Sequence, residues 1–156
     1  MATNTHSIAR TKISQLSLEE QARGFSHKFT IDYTDVNTGT TATDVETMAF
    51  GTTPAKYVID KCLVNVRTAF AGTGAFTLTV GTTTTTNAFV TSQSVLTAGV
   101  LTPTTGGATI TTGTAAIGLL ATFTNATSGS PSALTAGSLD IYLNIIDLNQ
   151  ATPGLG

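Results

Sequence analysis

The sequence predicts an all-β fold, a β-sandwich of jelly-roll type with about eight strands, preceded by an N-terminal arm with a short helix. Three observations predict it. Apolar and polar residues alternate with a period of two in several separate segments, the spacing of a strand with one buried face. Threonine makes up roughly a fifth of the 156 residues, and a β-branched side chain suits a pleated, half-buried surface. Glycine-rich turns, with 15 glycines in all, punctuate the alternating segments at short intervals. Hydrophobic residues at 40% supply enough apolar surface for a core, so disorder is excluded.

Residues 1–24 differ from the rest. Arg10, Lys12, Glu19, Glu20 and Arg23 give this arm five of the sixteen formal charges (7 basic plus 9 acidic). Ser17-Leu18-Glu19-Glu20 has the spacing of a capping box, which starts a helix at Ser17, and Gly24 stops it. A β domain follows over 25–148. In Phe25 to Tyr33 the odd positions are apolar or aromatic, with His27 among them as a half-buried histidine. Cys62, Val64 and Val66 oppose Lys61, Asn65 and Arg67. Further sets are Phe76, Leu78, Val80, then Ile117, Leu119, Ala121, Phe123, and finally Leu139, Ile141, Leu143, Ile145. Weaker strand signals lie near 45–50, 88–96 and 107–111. Gly72-Thr73-Gly74 reads as a hairpin turn, since it lacks the lysine of a phosphate loop and leads into no helix. Residues 149–156 read as a loose tail.

Charge bounds the function. A net charge of −2 gives no basic face for nucleic acid and no attraction to an anionic membrane. No run approaches the roughly 20 apolar residues of a membrane span, and the polar opening MATNTHSIARTK lacks the apolar core of a secretion signal. Synthesis in a host cytoplasm is the expectation.

No catalytic or metal-binding constellation is expected, and no cofactor. His6 and His27 stand in no metal-ligand spacing. Cys62, the single cysteine, reads as a buried structural thiol. Asp32, Asp35 and Asp44 lack the close spacing of a calcium loop and read as turn residues. Asn125-Ala126-Thr127 matches a glycosylation acceptor by chance. Asp60 shares parity with Val58, Cys62 and Val64, so it either marks a strand edge or needs a partner, Arg67 or a backbone amide.

Between Arg67 and Asp140 there is no charged side chain. A free surface normally mixes both signs of charge, whereas the cores of protein interfaces are depleted of Lys, Glu and Asp. The neutral half of the chain therefore reads as surface that packs against other subunits.

The segment Val64-Asn65-Val66-Arg67-Thr68-Ala69-Phe70-Ala71-Gly72-Thr73-Gly74, the following Phe76-Thr77-Leu78-Thr79-Val80-Gly81, and Leu134-Thr135-Ala136-Gly137-Ser138 before Leu139-Asp140-Ile141-Tyr142-Leu143 carry a resemblance. Over residues 57–147 the chain resembles small bacteriophage virion structural proteins of the capsid decoration, or cement, type. The resemblance implies a non-enzymatic β-sandwich on the capsid surface of the virion, a homotrimer whose partner is the major capsid protein lattice. Ile8, Ile13, Leu16 and Leu18 are the arm's apolar anchors for such a partner. The alternative is a tail or fibre component or a carbohydrate-binding adhesin module, for which the absence of tryptophan and 6% aromatics offer little stacking surface.

Overall fold

A computed structural model describes residues 1–7, 13–14, 16–103, 110–111, 113–126 and 129–148. Among the described residues, eleven strands form two sheets. They are β1 (Thr3–Ser7), β2 (Ile13–Ser14), β3 (His27–Asp32), β4 (Val45–Thr53), β5 (Tyr57–Ala71), β6 (Phe76–Thr82), β7 (Val90–Ser94), β8 (Gly99–Leu101), β9 (Ile110–Thr111), β10 (Ile117–Asn125) and β11 (Ala136–Asp147). One sheet runs β1-β4-β10-β6-β7; the other runs β2-β3-β11-β5-β8, with β9 also on β5.

Apart from β1 and β2 of the arm and the two-residue β9, eight strands remain. Numbered in chain order, they lie as 2-7-4-5 in the first sheet and 1-8-3-6 in the second, the wiring of a jelly roll. The sandwich expected from the alternation is therefore present. Gly72-Thr73-Gly74 is not a hairpin, however. It carries the chain from β5 in one sheet to β6 in the other, because each strand finds its partners elsewhere, β5 on β11 and β6 on β10.

The core lies between the sheets. Leu78, Val80, Ala121 and Phe123 face Val64, Val66, Leu139 and Ile141 and all are buried. Phe70, Phe76 and Phe123 form one aromatic cluster with centroids 5.4–5.7 Å apart, and Phe29 meets Phe50 at 5.0 Å. The tilted contacts and the stacked pair Phe76–Phe123 both suit the ring quadrupoles and add to the area buried.

Asp60 and Phe25 depart from the faces that alternation assigns them. The pairing of β5 with β11 shifts register between Asn144 and Ile145, which leaves Asp60 as the extra residue of a bulge. The bulge reverses parity, so Ile59 is buried while Asp60 turns out and accepts from Asn144 Nδ2 at 2.7 Å. Asp60 thus lies inside a strand, not at its edge, and its partner is neither Arg67 nor a backbone amide. Phe25 also leaves the expected face. Strand β3 begins only at His27, and Phe25 packs on Tyr142 outside the sandwich at 5.6 Å.

Within residues 1–24, β1 runs parallel to β4 and β2 pairs with β3. Helix α1 (Leu18–Ala22) has the capping box: Glu20 N–H donates to Ser17 Oγ at 3.2 Å and Ser17 N–H to Glu20 Oε2 at 2.7 Å. Gly24 follows with φ +84°, the left-handed conformation that ends such helices. The segment 149–156 lies outside the described residues.

Candidate interaction faces

The outer face of the five-stranded sheet is built from alternate residues of strands whose other faces fill the core. On β4, Glu46, Met48 and Phe50 point inward and are buried, so Val45, Thr47 and Ala49 point outward. On β10 and β6 the outward residues are Leu120, Thr122, Thr124 and Thr77, Thr79. The register aligns them. One row runs Thr3, Val45, Thr124, Thr77, Ser94; the next runs Thr5, Thr47, Thr122, Thr79; a third holds Ala49 and Leu120 and ends at Gly81, which the backbone of Thr85 and Thr86 covers. None of these residues is charged.

The hydroxyls of Thr77 and Thr79 lean toward the carbonyls of Thr124 and Thr122 on the adjacent strand, at 3.4 and 3.5 Å. That leaves their methyl groups to the outside. With strands about 4.8 Å apart and outward residues about 6.8 Å apart along each, every residue covers roughly 33 Å² and the uncovered residues of these rows together roughly 360 Å².

The opposite face, on the second sheet, is its chemical inverse. Asp140, although outward by parity, is buried. Arg67 Nε lies 3.2 Å and Lys28 Nζ 3.5 Å from its Oδ2, and Thr30 Oγ1 donates to Oδ1 at 2.7 Å. Lys28 also pairs with Glu20 at 3.2 Å and sits 5.2 Å above the Tyr142 ring. Glu20 thereby latches α1 onto this sheet. The Ser17 backbone amide, with Tyr142 and Lys28 beside it, holds the Glu20 carboxyl down at about 2, against the opposing effect of desolvation.

The N-terminal strand is fixed by two buried acids at the start of β4. Ala2 N–H donates to Asp44 Oδ1 at 3.1 Å and Asn4 Nδ2 to Glu46 Oε1 at 3.0 Å. Asp44 also accepts from Thr41 N–H at 2.9 Å and from the Thr41 hydroxyl; these bonds and that from Ala2 lower its carboxyl to about 2. Thr38 Oγ1 donates to Glu46 at 3.0 Å. On the far side, the Gln93 side-chain amide bridges the β7 edge to the other sheet. Its Oε1 accepts from Thr102 N–H at 2.9 Å and its Nε2 donates to the Thr102 carbonyl.

The four apolar anchors of the arm are not brought together in the described structure. Ile8 lies outside the described residues, and for Ile13 only the backbone is described, paired with Phe29. Leu16 is half-buried, and Leu18 is 85% exposed on α1.

Other polar candidates have structural surroundings. Asp35 accepts from Asp32 N–H at 2.8 Å. Among the described residues, no three of His, Cys, Asp and Glu lie close enough to hold a metal ion. Asn125 is buried, with its Nδ2 donating to Gly129 O at 2.9 Å, so it offers no site for a glycan. The Cys62 thiol, half-buried against the core, is pushed up to about 12 by desolvation. His27 is exposed at the start of β3 and not half-buried as expected; its ring stacks on Phe29 at 6.3 Å with Ser26 Oγ 2.7 Å from Nδ1, and partial desolvation lowers its pKa. No helix among the described residues is long and apolar enough to cross a membrane.

The threonine rows escaped sequence reasoning because β1 and β4 contribute to them from outside the uncharged half of the chain. The signal that could have found them is the repeated Thr-x-Thr of Thr3-Asn4-Thr5, Thr77-Leu78-Thr79 and Thr122-Phe123-Thr124.

No family model matches the sequence, and no curated protein matches it. Among solved structures, the chain is similar to the crystal structure of Aeromonas hydrophila PliG, a periplasmic lysozyme inhibitor of g-type lysozyme. The identity is 10% over 92% of this chain and 97% of that one, with a TM-score of 0.34. That likeness is too distant to bear on function.

Proposed function

We propose that the chain is a non-enzymatic virion structural protein that decorates and stabilises a bacteriophage capsid. The observation that carries the reading is the charge-free threonine face of the five-stranded sheet. A patch of roughly 360 Å² falls short of the ~800 Å² per partner of a standard stable interface. A single contact through it is therefore weak. An assembled shell offers the same contact many times, and a homotrimer would engage several at once, which converts weak contacts into firm attachment. Binding to the shell and not to free subunits then stabilises the shell by mass action.

The sequence resemblance over 57–147 supports the same reading, and the exposed Leu18 gives the arm an apolar group to set against a neighbour. Empty capsids of the phage that encodes the chain, prepared without it, are expected to take it up and to resist heat better. Co-sedimentation and capsid melting read this directly. Uptake by free capsid subunits, or no gain in capsid melting temperature, would contradict the proposal.

A further inference from the structure

Strand β4 has a register shift against β10 between Leu119 and Leu120, and β11 has one against β5 between Asn144 and Ile145. A bulge bends its strand and re-aims the neighbouring side chains. Here one bulge lies in each sheet at the same end, and between them opens a cavity of about 420 Å³. Phe29, Phe50, Leu119 and Ile145 line its apolar part, with His27 and Tyr57 beside them.

Three features define what would fit. The first is size: a cavity of about 150 Å³ lined by apolar side chains holds one benzene ring, so this one suits two fused rings. The second is charge. Desolvation lowers the pKa of His27, which disfavours its charged form, and Tyr57 engages Asp147. The lining therefore offers a charged ligand no free countercharge of its own. The third is a polar handle. Thr53 also lines the cavity, is 2% exposed, and its hydroxyl has no hydrogen-bond partner. A buried unpaired hydroxyl is costly, and a turn of the Thr53 side chain toward the cavity would let a ligand oxygen relieve it.

We propose that this cavity between the bulged ends of the sheets is a binding site for an uncharged, fused-ring aromatic small molecule bearing a hydroxyl, with Thr53 as its hydrogen-bonding partner. The site is independent of the threonine face, which lies on the outside of the sheet.

Gly51 supplies a clean control. A side chain built there points into the cavity, with Leu119 Cδ1 as its nearest neighbour at 3.8 Å, and the position carries no positive φ. Gly51→Leu should fill the cavity while the sandwich stays folded. The test is titration of the full chain with 2-naphthol, naphthalene and 2-naphthoate, followed by ligand fluorescence and by amide shifts of Phe29, Phe50, Thr53 and Leu119. The expected order is 2-naphthol about three- to tenfold tighter than naphthalene, with 2-naphthoate weakest. Thr53→Val should erase the difference between the first two, and Gly51→Leu should abolish binding of both with the fold unchanged by circular dichroism. Absence of binding to the unmodified chain would overturn the inference. So would binding that survives Gly51→Leu, or a preference for naphthoate.

Discussion

The ring of Phe70 lies on the backbone of Gly137: a Cβ at position 137 would come within 2.4 Å of two of its ring carbons, and Gly137 has φ +143°. The two residues sit 67 positions apart, in the two segments that carry the resemblance to phage virion proteins. A similar approach joins Gly72 to the Ala133 carbonyl, which a Cβ would meet at 2.0 Å. These motif glycines are close-packing requirements of the sandwich.

Gly137→Ala should therefore cost about 2–4 kcal/mol, from overpacking and from the left-handed backbone together. In a Phe70→Leu background the same change should cost measurably less, because the clash is relieved. Urea denaturation of the four proteins gives the coupling. Equal costs in both backgrounds would mean that the ring is not the obstacle.

Asp140 is buried, with cations on either side, Lys28 with 19% and Arg67 with 46% of its side chain exposed. Removing the shared acid by Asp140→Asn should cost about 2–3 kcal/mol, somewhat below a fully buried pair, since both cations can turn to water. Arg67→Ala should cost about 1 kcal/mol or less, as Lys28 and Thr30 still satisfy the carboxylate. Thermal or urea unfolding distinguishes the two. An Arg67 effect larger than that of Asp140 would contradict the network.

Glu20 gives α1 a specific acid sensitivity. Its carboxyl titrates lower when docked, about 2, than in a free chain, about 4.3. The docked form thus gains stability that is fully present above about pH 4.5 and lost as pH falls toward 2. Amide exchange at Glu20 and Gln21 should stay slowed down to about pH 3 relative to Glu20→Gln, and then converge with it. The helix has no buried residue, so global melting should move little in that variant.

Much of the fold was legible because the core strands β6, β10 and β11 alternate strictly, and the capping box at Ser17 and Glu20 is a local device. Three features were not. The bulge at Asp60 reverses parity through pairing with β11, which no local pattern encodes. The Gly72 turn has hairpin composition, yet the partners of β5 and β6 lie far along the chain. Strand β1, Thr-Asn-Thr-His-Ser, carries no apolar alternation; it is held by the backbone ladder and by Asp44 and Glu46 some forty residues later. The candidate face was half legible. Its lack of charge was plain in the sequence, but its rows depend on register across five strands.

A lysine at the centre of that face tests the account most directly. Thr122 lies between Thr47 and Thr79 in the second row, pointing away from the core. Thr122→Lys should leave the melting temperature within a few degrees of the unmodified protein, because the side chain can reach water. In co-sedimentation with capsids lacking the protein, the unmodified chain is expected to pellet with the shells and the lysine variant to remain in the supernatant. Equal pelleting of both would show that the threonine face is not the surface through which this protein attaches.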